Sequence, residues 1–174
     1  MTTNQLLLTF DTALGRCGIR WSDIGITGVL LPSTATGRPL PFLDPAAVPA
    51  VVRDAIEGIR AVLDGERRDL GDIRLDERGI DPFRRRVYAA TRAVQPGTIA
   101  TYGQVARAIG EPDAARDVGA ALARNPTPVI VPCHRVVAAN GALHGFSAPG
   151  GIETKRRMLQ LEGAPGFGQQ VLFG

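Results

Sequence analysis

Pro132-Cys133-His134-Arg135-Val136 places a thiol, an imidazole and a guanidinium on three consecutive residues. A thiol is a strong nucleophile only as the thiolate, and a neighbouring His or Arg favours that form. The chain has two cysteines and two histidines in all, so an adjacent pair is a poor candidate for coincidence. The plain alternative is a small buried Cys at a strand end beside a surface His. For an isolated Cys-His dipeptide it would be the better reading. Ile130 and Val131 read as that strand, and Pro132 ends it by removing a ladder donor. Successive side chains on a regular strand face opposite ways, so Cys133 and His134 cooperate only where the chain bends or a water bridges them. Pro132 allows the bend. Glu162 closes a predicted helix over residues 152–162, where its charge opposes the helix dipole and calls for a compensating partner.

The elements that must carry these groups are legible around them. Asp81-Pro82 starts a helix, with Asp as cap and Pro in the first turn. Phe83, Val87, Ala90 and Val94 mark its buried face, and Arg84-Arg85-Arg86 reads as a solvated face that could also touch phosphate. After the turn Gln95-Pro96-Gly97, Thr101 caps a short helix and Gln104 completes a capping box. Gly110-Glu111-Pro112 breaks it, and Asp113 caps a second helix over 114–124. Two short helices joined by a tight turn form a helix-turn-helix pattern, which on pattern alone is shared with any αα-hairpin. Asn140-Gly141 signals a hairpin turn between 135–139 and 142–143. A Gly-rich loop follows, and Gly163 ends the last helix.

Upstream, residues 6–10, 17–21 and 24–31 are β-rich runs punctuated by Gly15 and Ser22-Asp23. A Pro-rich loop leads to a helix whose apolar positions Val48, Val51, Val52, Ala55, Ile56, Ile59, Val62 and Leu63 make one stripe, stopped by Gly65. The charged stretch 66–79 reads as a link. The pattern predicts an α/β (α+β) chain. Residues 1–78 form a small N-terminal domain, an antiparallel sheet with a helix. Residues 79–174 form a mostly helical C-terminal domain with the helix-turn-helix and Cys133.

Bulk properties set limits. At 174 residues and 44% hydrophobic content, one or two globular domains are expected. No run of about 18 apolar residues exists, which argues against a membrane span. The first residues lack a basic segment, so a cytoplasmic location is expected. Cys17 has no Cys or His companion nearby, which argues against zinc and against a disulfide scaffold. The net charge of +3 does not by itself point to nucleic acid. Lys155 is the one lysine among 20 basic residues. Arg grips phosphate bidentately, although the codon usage of a GC-rich genome accounts for most of such a bias.

The stretch from about residue 80 to 163 resembles the O6-alkylguanine-DNA alkyltransferases in motif order and spacing. PCHRV resembles their acceptor motif, residues 101–106 the first helix of their helix-turn-helix, and residues 114–121 their recognition helix. Asn125-Pro126, Gly145-Phe146-Ser147, Gly150-Gly151, Lys155 and Leu161-Glu162-Gly163 follow in family order. The resemblance implies direct-reversal DNA repair. The Cys133 thiolate takes the alkyl group from O6-alkylguanine, or O4-alkylthymine, in a single turnover and without a cofactor. His134 is implied as the base acting through water, and Glu162 as the carboxylate that fixes the imidazole tautomer and stabilises its charged form. Tyr102 presses on the target nucleotide and donates to the purine. Arg116 fills the gap left by the flipped base, Gly119, Ala120 and Ala121 favour close approach of the recognition helix to the minor groove or else tight helix packing, and Gly103 is a further DNA-binding position. Asn125 ties the recognition helix to the acceptor segment, and Arg135 supports the fold or reaches phosphate. Val136, Phe146 and Ser147 shape the substrate pocket, where Ala148-Pro149 is an insertion and Phe146 replaces a common tyrosine. The implied partner is double-stranded DNA carrying O6-alkylguanine, bound by a monomer with no membrane attachment.

Three other readings compete. A lesion-sensing, alkyltransferase-like binding module lacks the acceptor cysteine, so Cys133 weighs against it. A transcription regulator needs base-reading polar side chains, in which residues 114–124 are poor. A cysteine hydrolase needs an oxyanion hole, of which the sequence gives no independent sign.

Overall fold

The computed structural model describes residues 7–32, 45–144 and 151–167. Three strands, β1 (Leu7–Thr12), β2 (Gly15–Trp21) and β3 (Ile26–Leu30), form an antiparallel sheet in sequence order. In β2 the inward positions Cys17, Ile19 and Trp21 alternate with Arg16 and Arg20, the period-two pattern of a sheet with one buried face. Helix α1 (Ala50–Leu63) lays Val52, Ala55, Ile56, Ile59 and Val62 on that face, as its stripe predicts.

The stretch 66–79 is more than a spacer. Leu70 and Ile73 are buried in the same core. A β-carbon on Gly58 would lie 2.5 Å from a Leu70 methyl, so any larger residue there would force the Leu70 side chain to move. A β-carbon on Gly25 would lie 2.6 Å from the Arg74 carbonyl oxygen, at the point where Ile26 N–H donates to that oxygen over 2.9 Å.

The second half holds α2 (Pro82–Arg92), a two-residue strand β4 (Ala100–Thr101), α3 (Tyr102–Ala108), α4 (Ala115–Ala123), a second short strand β5 (Val136–Val137) and α5 (Gly151–Leu161). The Asp81 cap and the Thr101–Gln104 capping box form as the sequence predicts. The predicted Asp113 cap does not: α4 begins one residue later, behind Ala114, with no side-chain cap. Asn140-Gly141 does turn the chain, with Ala138 N–H donating to Ala142 O at 3.0 Å, but no hairpin ladder follows. Instead β5 pairs in parallel with β4. Helix α2 buries Val87, Tyr88 and Thr91, with Phe83 and Ala90 partly buried against the same cluster and Val94 past the end of the helix; Tyr88 uses its hydroxyl to grip α4 through the Ala121 carbonyl at 2.7 Å.

The two halves share a core. Val129, Ile130 and Met158 pack with the N-terminal sheet, whereas Val131, Cys133 and Val136 pack with α2, α3 and α4. No helix among the described residues is long and apolar enough to cross a membrane.

Candidate active site

The acceptor segment is a turn, not the predicted strand. Residues 129 and 130 are in a turn, and Val131 only bridges to Pro128. Val129 has φ +75°, a left-handed conformation rare for a β-branched residue, and it is held there by its surroundings. Val131 N–H donates to Thr127 O at 2.9 Å, Asn125 Nδ2 donates to Val131 O at 2.9 Å, and Val29 N–H donates to Pro126 O at 2.9 Å. Asn125 therefore links the end of α4 to the acceptor segment through this hydrogen bond to Val131.

Beyond Pro132, Cys133–Arg135 is a single turn of 3₁₀ helix. Adjacent side chains there lie about 120° apart rather than opposed as on a strand. That is the bend that Pro132 allows. Cys133 is buried, at 7% exposure. Burial pushes its thiol up, while the Asn125 hydrogen bond and the Lys155 charge pull the other way.

His134 and Glu162 meet as the sequence suggested. His134 Nε2 lies 2.9 Å from Glu162 Oε1, and both side chains are buried. The carboxylate accepts, so Nε2 carries the proton and Nδ1 is the acceptor; Nδ1 has no hydrogen-bond partner among the described residues. Burial opposes ionisation of Glu162, but its contacts to His134 and Arg135 prevail and hold the carboxyl at about 2. Glu162 favours the charged form of His134, in the direction expected of it, but burial is the larger effect. Burial holds His134 below its ordinary range despite Glu162, so the imidazole rests neutral.

Arg135, through its charge, adds a smaller push on His134 in the same direction as burial. Its Nη2 donates to Glu162 Oε1 at 2.7 Å, its Nε to Oε2 at 3.0 Å, and its Nη1 to the Val94 carbonyl at 2.8 Å. The guanidinium is buried and engaged, so Arg135 supports the fold and does not reach phosphate, which corrects half of the expectation for it. The run at 84–86 is likewise structural in part. Arg84 donates to the Arg124 carbonyl at the end of α4, and Arg86 pairs with Glu111 at 2.9 Å.

Lys155 is a residue to which sequence reasoning gave no role and which the structure places beside Cys133. It is 2% exposed and donates to the carbonyls of Val136 at 2.7 Å and His144 at 3.2 Å, with its Nζ 5.8 Å from the centre of the Tyr102 ring. No carboxylate pairs with it among the described residues. Burial lowers it to about 8, and the nearby Cys133 charge works against that fall. A buried ammonium without an acid is costly unless an anion comes to it, and the thiolate of Cys133 is the anion at hand. The signal was there: one lysine in a chain that otherwise uses arginine.

Above this cluster runs a groove of about 850 Å³, lined by Tyr102, Gly103, Arg107, Arg116, Gly119 and His144, among others. Tyr102 joins groove to site: it packs on the apolar cluster that contains Cys133, and its hydroxyl donates to His144 O at 2.9 Å. Ala120 departs from the expectation. It lies round the helix from Gly119 and lines a separate groove of about 310 Å³ with Asp81, Glu111 and Asp117. Val136 is buried in the Cys133 cluster. Phe146, Ser147 and the Ala148-Pro149 insertion lie outside the described residues.

Fold and site together define an α+β protein with a buried thiol set below a helix-turn-helix groove. The family described as 6-O-methylguanine DNA methyltransferase, DNA binding domain, matches residues 82–164. The methylated-DNA–protein-cysteine methyltransferase of Methanothermobacter thermautotrophicus is 33% identical over 153 residues, which cover 87% of this chain and 82% of that relative. The Mycobacterium tuberculosis protein of the same name is 43% identical over 114 residues, 66% of this chain and 67% of its own. The crystal structure of M. tuberculosis OGT in complex with DNA superposes with a TM-score of 0.74 at 36% identity, covering 92% of this chain and 96% of that one. The chain belongs to the methylated-DNA–protein-cysteine methyltransferase family.

Proposed function

We propose that this protein repairs DNA by moving an alkyl group from guanine O6 to its own Cys133. The observation that carries the reading is the placement of Cys133: a buried thiol that feels the Lys155 charge, next in sequence to a neutral imidazole, in an apolar cluster against which Tyr102 of the groove wall packs. The Cys133 sulfur forms a bond to the alkyl carbon as the bond from that carbon to O6 breaks. The electron pair stays on guanine, which gains a proton, so the net change moves the thiol proton to the base. Nδ1 of His134 is free to take that proton on its way, and Lys155 supplies the charge that favours the thiolate. The product thioether is stable, so each molecule acts once.

In this reading residues 79–174 bind duplex DNA and accept the alkyl group, while residues 1–78 brace the acceptor turn through Val129 and Ile130. Tyr102, Gly103, Arg116 and Gly119 face the DNA from the groove. The flipped base enters beside Tyr102, with Arg116 filling the gap in the duplex. Asn125 keeps α4 and the acceptor turn in register.

The test is mass spectrometry after incubation with duplex DNA containing O6-methylguanine. The expected result is one methyl group per protein, on Cys133, and none in Cys133→Ser, which still binds the duplex. A methyl group on another residue, or repeated turnover, would overturn the proposal.

A further inference from the structure

Arg107 and His144 have no part in the chemistry above, yet both line the groove that the chemistry opens into. Both are exposed. Many surface arginines of this protein are paired with acids: Arg16 with Asp11, Arg68 with Glu57, Arg78 with Asp76 and Arg156 with Glu153. Arg107 and Arg116 have no carboxylate partner among the described residues. The neighbouring groove is lined by three acids, whereas this one is lined by none. Unpaired cations gathered in an acid-free groove fit a ligand that brings its own negative charge.

The geometry aims them inward. Arg107 lies five residues after Tyr102 on α3, and its guanidinium folds back over the glycine between them. Its Nη1 is 3.8 Å from the place that a β-carbon on Gly103 would occupy. His144 is anchored by its own backbone. Its carbonyl oxygen accepts from Tyr102 Oη at 2.9 Å and from Lys155 Nζ at 3.2 Å, which fixes the residue at the groove wall while its imidazole stays in solvent. His144 faces Tyr102 and Arg107 from α3, Arg116 from α4 and Lys155 from α5. None of these is an acid, so an incoming phosphate is the anion that would favour imidazolium.

We infer that Arg107 and His144 form a second phosphate grip, on walls of the groove other than that of Arg116. They hold the DNA backbone beside the lesion, and His144 grips more strongly in its protonated form. The inference rests on the reading of this groove as the DNA-binding face. Contact with a phosphate favours the protonated imidazole over the neutral one. Binding then tightens as the pH falls. The chemistry runs the other way, because thiolate is favoured as the pH rises. Affinity and rate therefore have opposite pH dependences, set by two different residues.

The experiment measures affinity for an undamaged duplex at fixed ionic strength between about pH 6 and about pH 8, with a salt titration at each end. The native protein should bind about two- to five-fold more tightly at the lower pH, the gain of one exposed ionic contact. His144→Asn should lose that gain, and His144→Arg should keep it at both ends. Arg107→Ala should bind more weakly throughout, with the logarithmic salt slope reduced by about one. Partial unfolding would weaken binding at every pH alike and could not produce the His144→Arg result. Arg116→Ala separates the two levels of the argument. If it loses affinity while His144→Asn keeps the native pH dependence and Arg107→Ala the native salt slope, the second grip is wrong and the groove reading stands. If all three variants bind like the native protein, the groove reading itself fails.

Discussion

Arg135, not His134, carries the charge that balances Glu162. The guanidinium reaches both carboxylate oxygens from inside the fold, and His134 adds one neutral donor. The consequence is a pH signature. The Glu162 carboxyl sits at about 2 in the folded protein against 4.5 ordinarily. A carboxyl lowered by folding contributes stability that is present above its unfolded value and lost as the pH falls through its folded value. Glu162→Gln should therefore be less stable by about 3 kcal/mol at neutral pH, where it leaves the Arg135 charge unpaired. The difference from the native protein should shrink as the pH falls from 4.5 towards about 2. Urea unfolding across that window tests this, and a difference that does not change with pH would mean that ionisation of Glu162 contributes nothing to stability.

Lys155→Met removes the ammonium beside Cys133 while keeping the length of the side chain. Lys155 is charged below about 8, so at neutral pH it favours the thiolate. Without it the Cys133 thiol rises further, and the rate at neutral pH should fall about tenfold for each unit of that rise. The pH–rate profile with free O6-benzylguanine should move to higher pH. Lys155→Arg keeps the charge but presents a planar fork to two carbonyls set for a single ammonium, so it should recover part of the rate. A native profile in Lys155→Met would make the lysine a structural tie between Val136 and His144.

Much of this site was legible in the sequence because local chemistry decides it. The Thr101–Gln104 box, the Asp81 cap and the dipole-opposing Glu162 each follow from one residue type at one position. What the sequence did not show depends on distant partners. Val129 looks like a strand residue, and only the combined hold of Thr127, Asn125 and β3 drives it into the left-handed region. Arg135 looks like a surface cation until the Val94 carbonyl and Glu162 close round it. Burial then leaves His134 neutral, since desolvation outweighs the pull of Glu162 towards imidazolium.

Arg116→Ala should weaken repair of duplex DNA far more than reaction with the free base. Arg116 is exposed, without an ion-pair partner among the described residues, and lines the groove rather than the Cys133 cluster. A free base needs no flipping, so no gap has to be filled. The comparison of single-turnover rates on a methylated duplex and on O6-benzylguanine decides the point. Equal losses on both would assign Arg116 to the fold.

Gly119 offers a test in which stability and binding move in opposite directions. It sits inside α4, where glycine costs about 1 kcal/mol relative to alanine. A β-carbon there would meet the Tyr102 ring at 3.8 Å, an ordinary contact, so nothing within the protein demands glycine. The space is open towards the groove, and an approaching DNA backbone is what would use it. Gly119→Ala should therefore raise the thermal midpoint, by a few degrees for a stabilisation of up to about 1 kcal/mol, and at the same time weaken binding to duplex DNA. A loss of binding in a more stable protein cannot come from unfolding. A raised midpoint with native affinity would show that α4 keeps its distance from the duplex at this point, and a lowered midpoint would show that Tyr102 has no room for the methyl group.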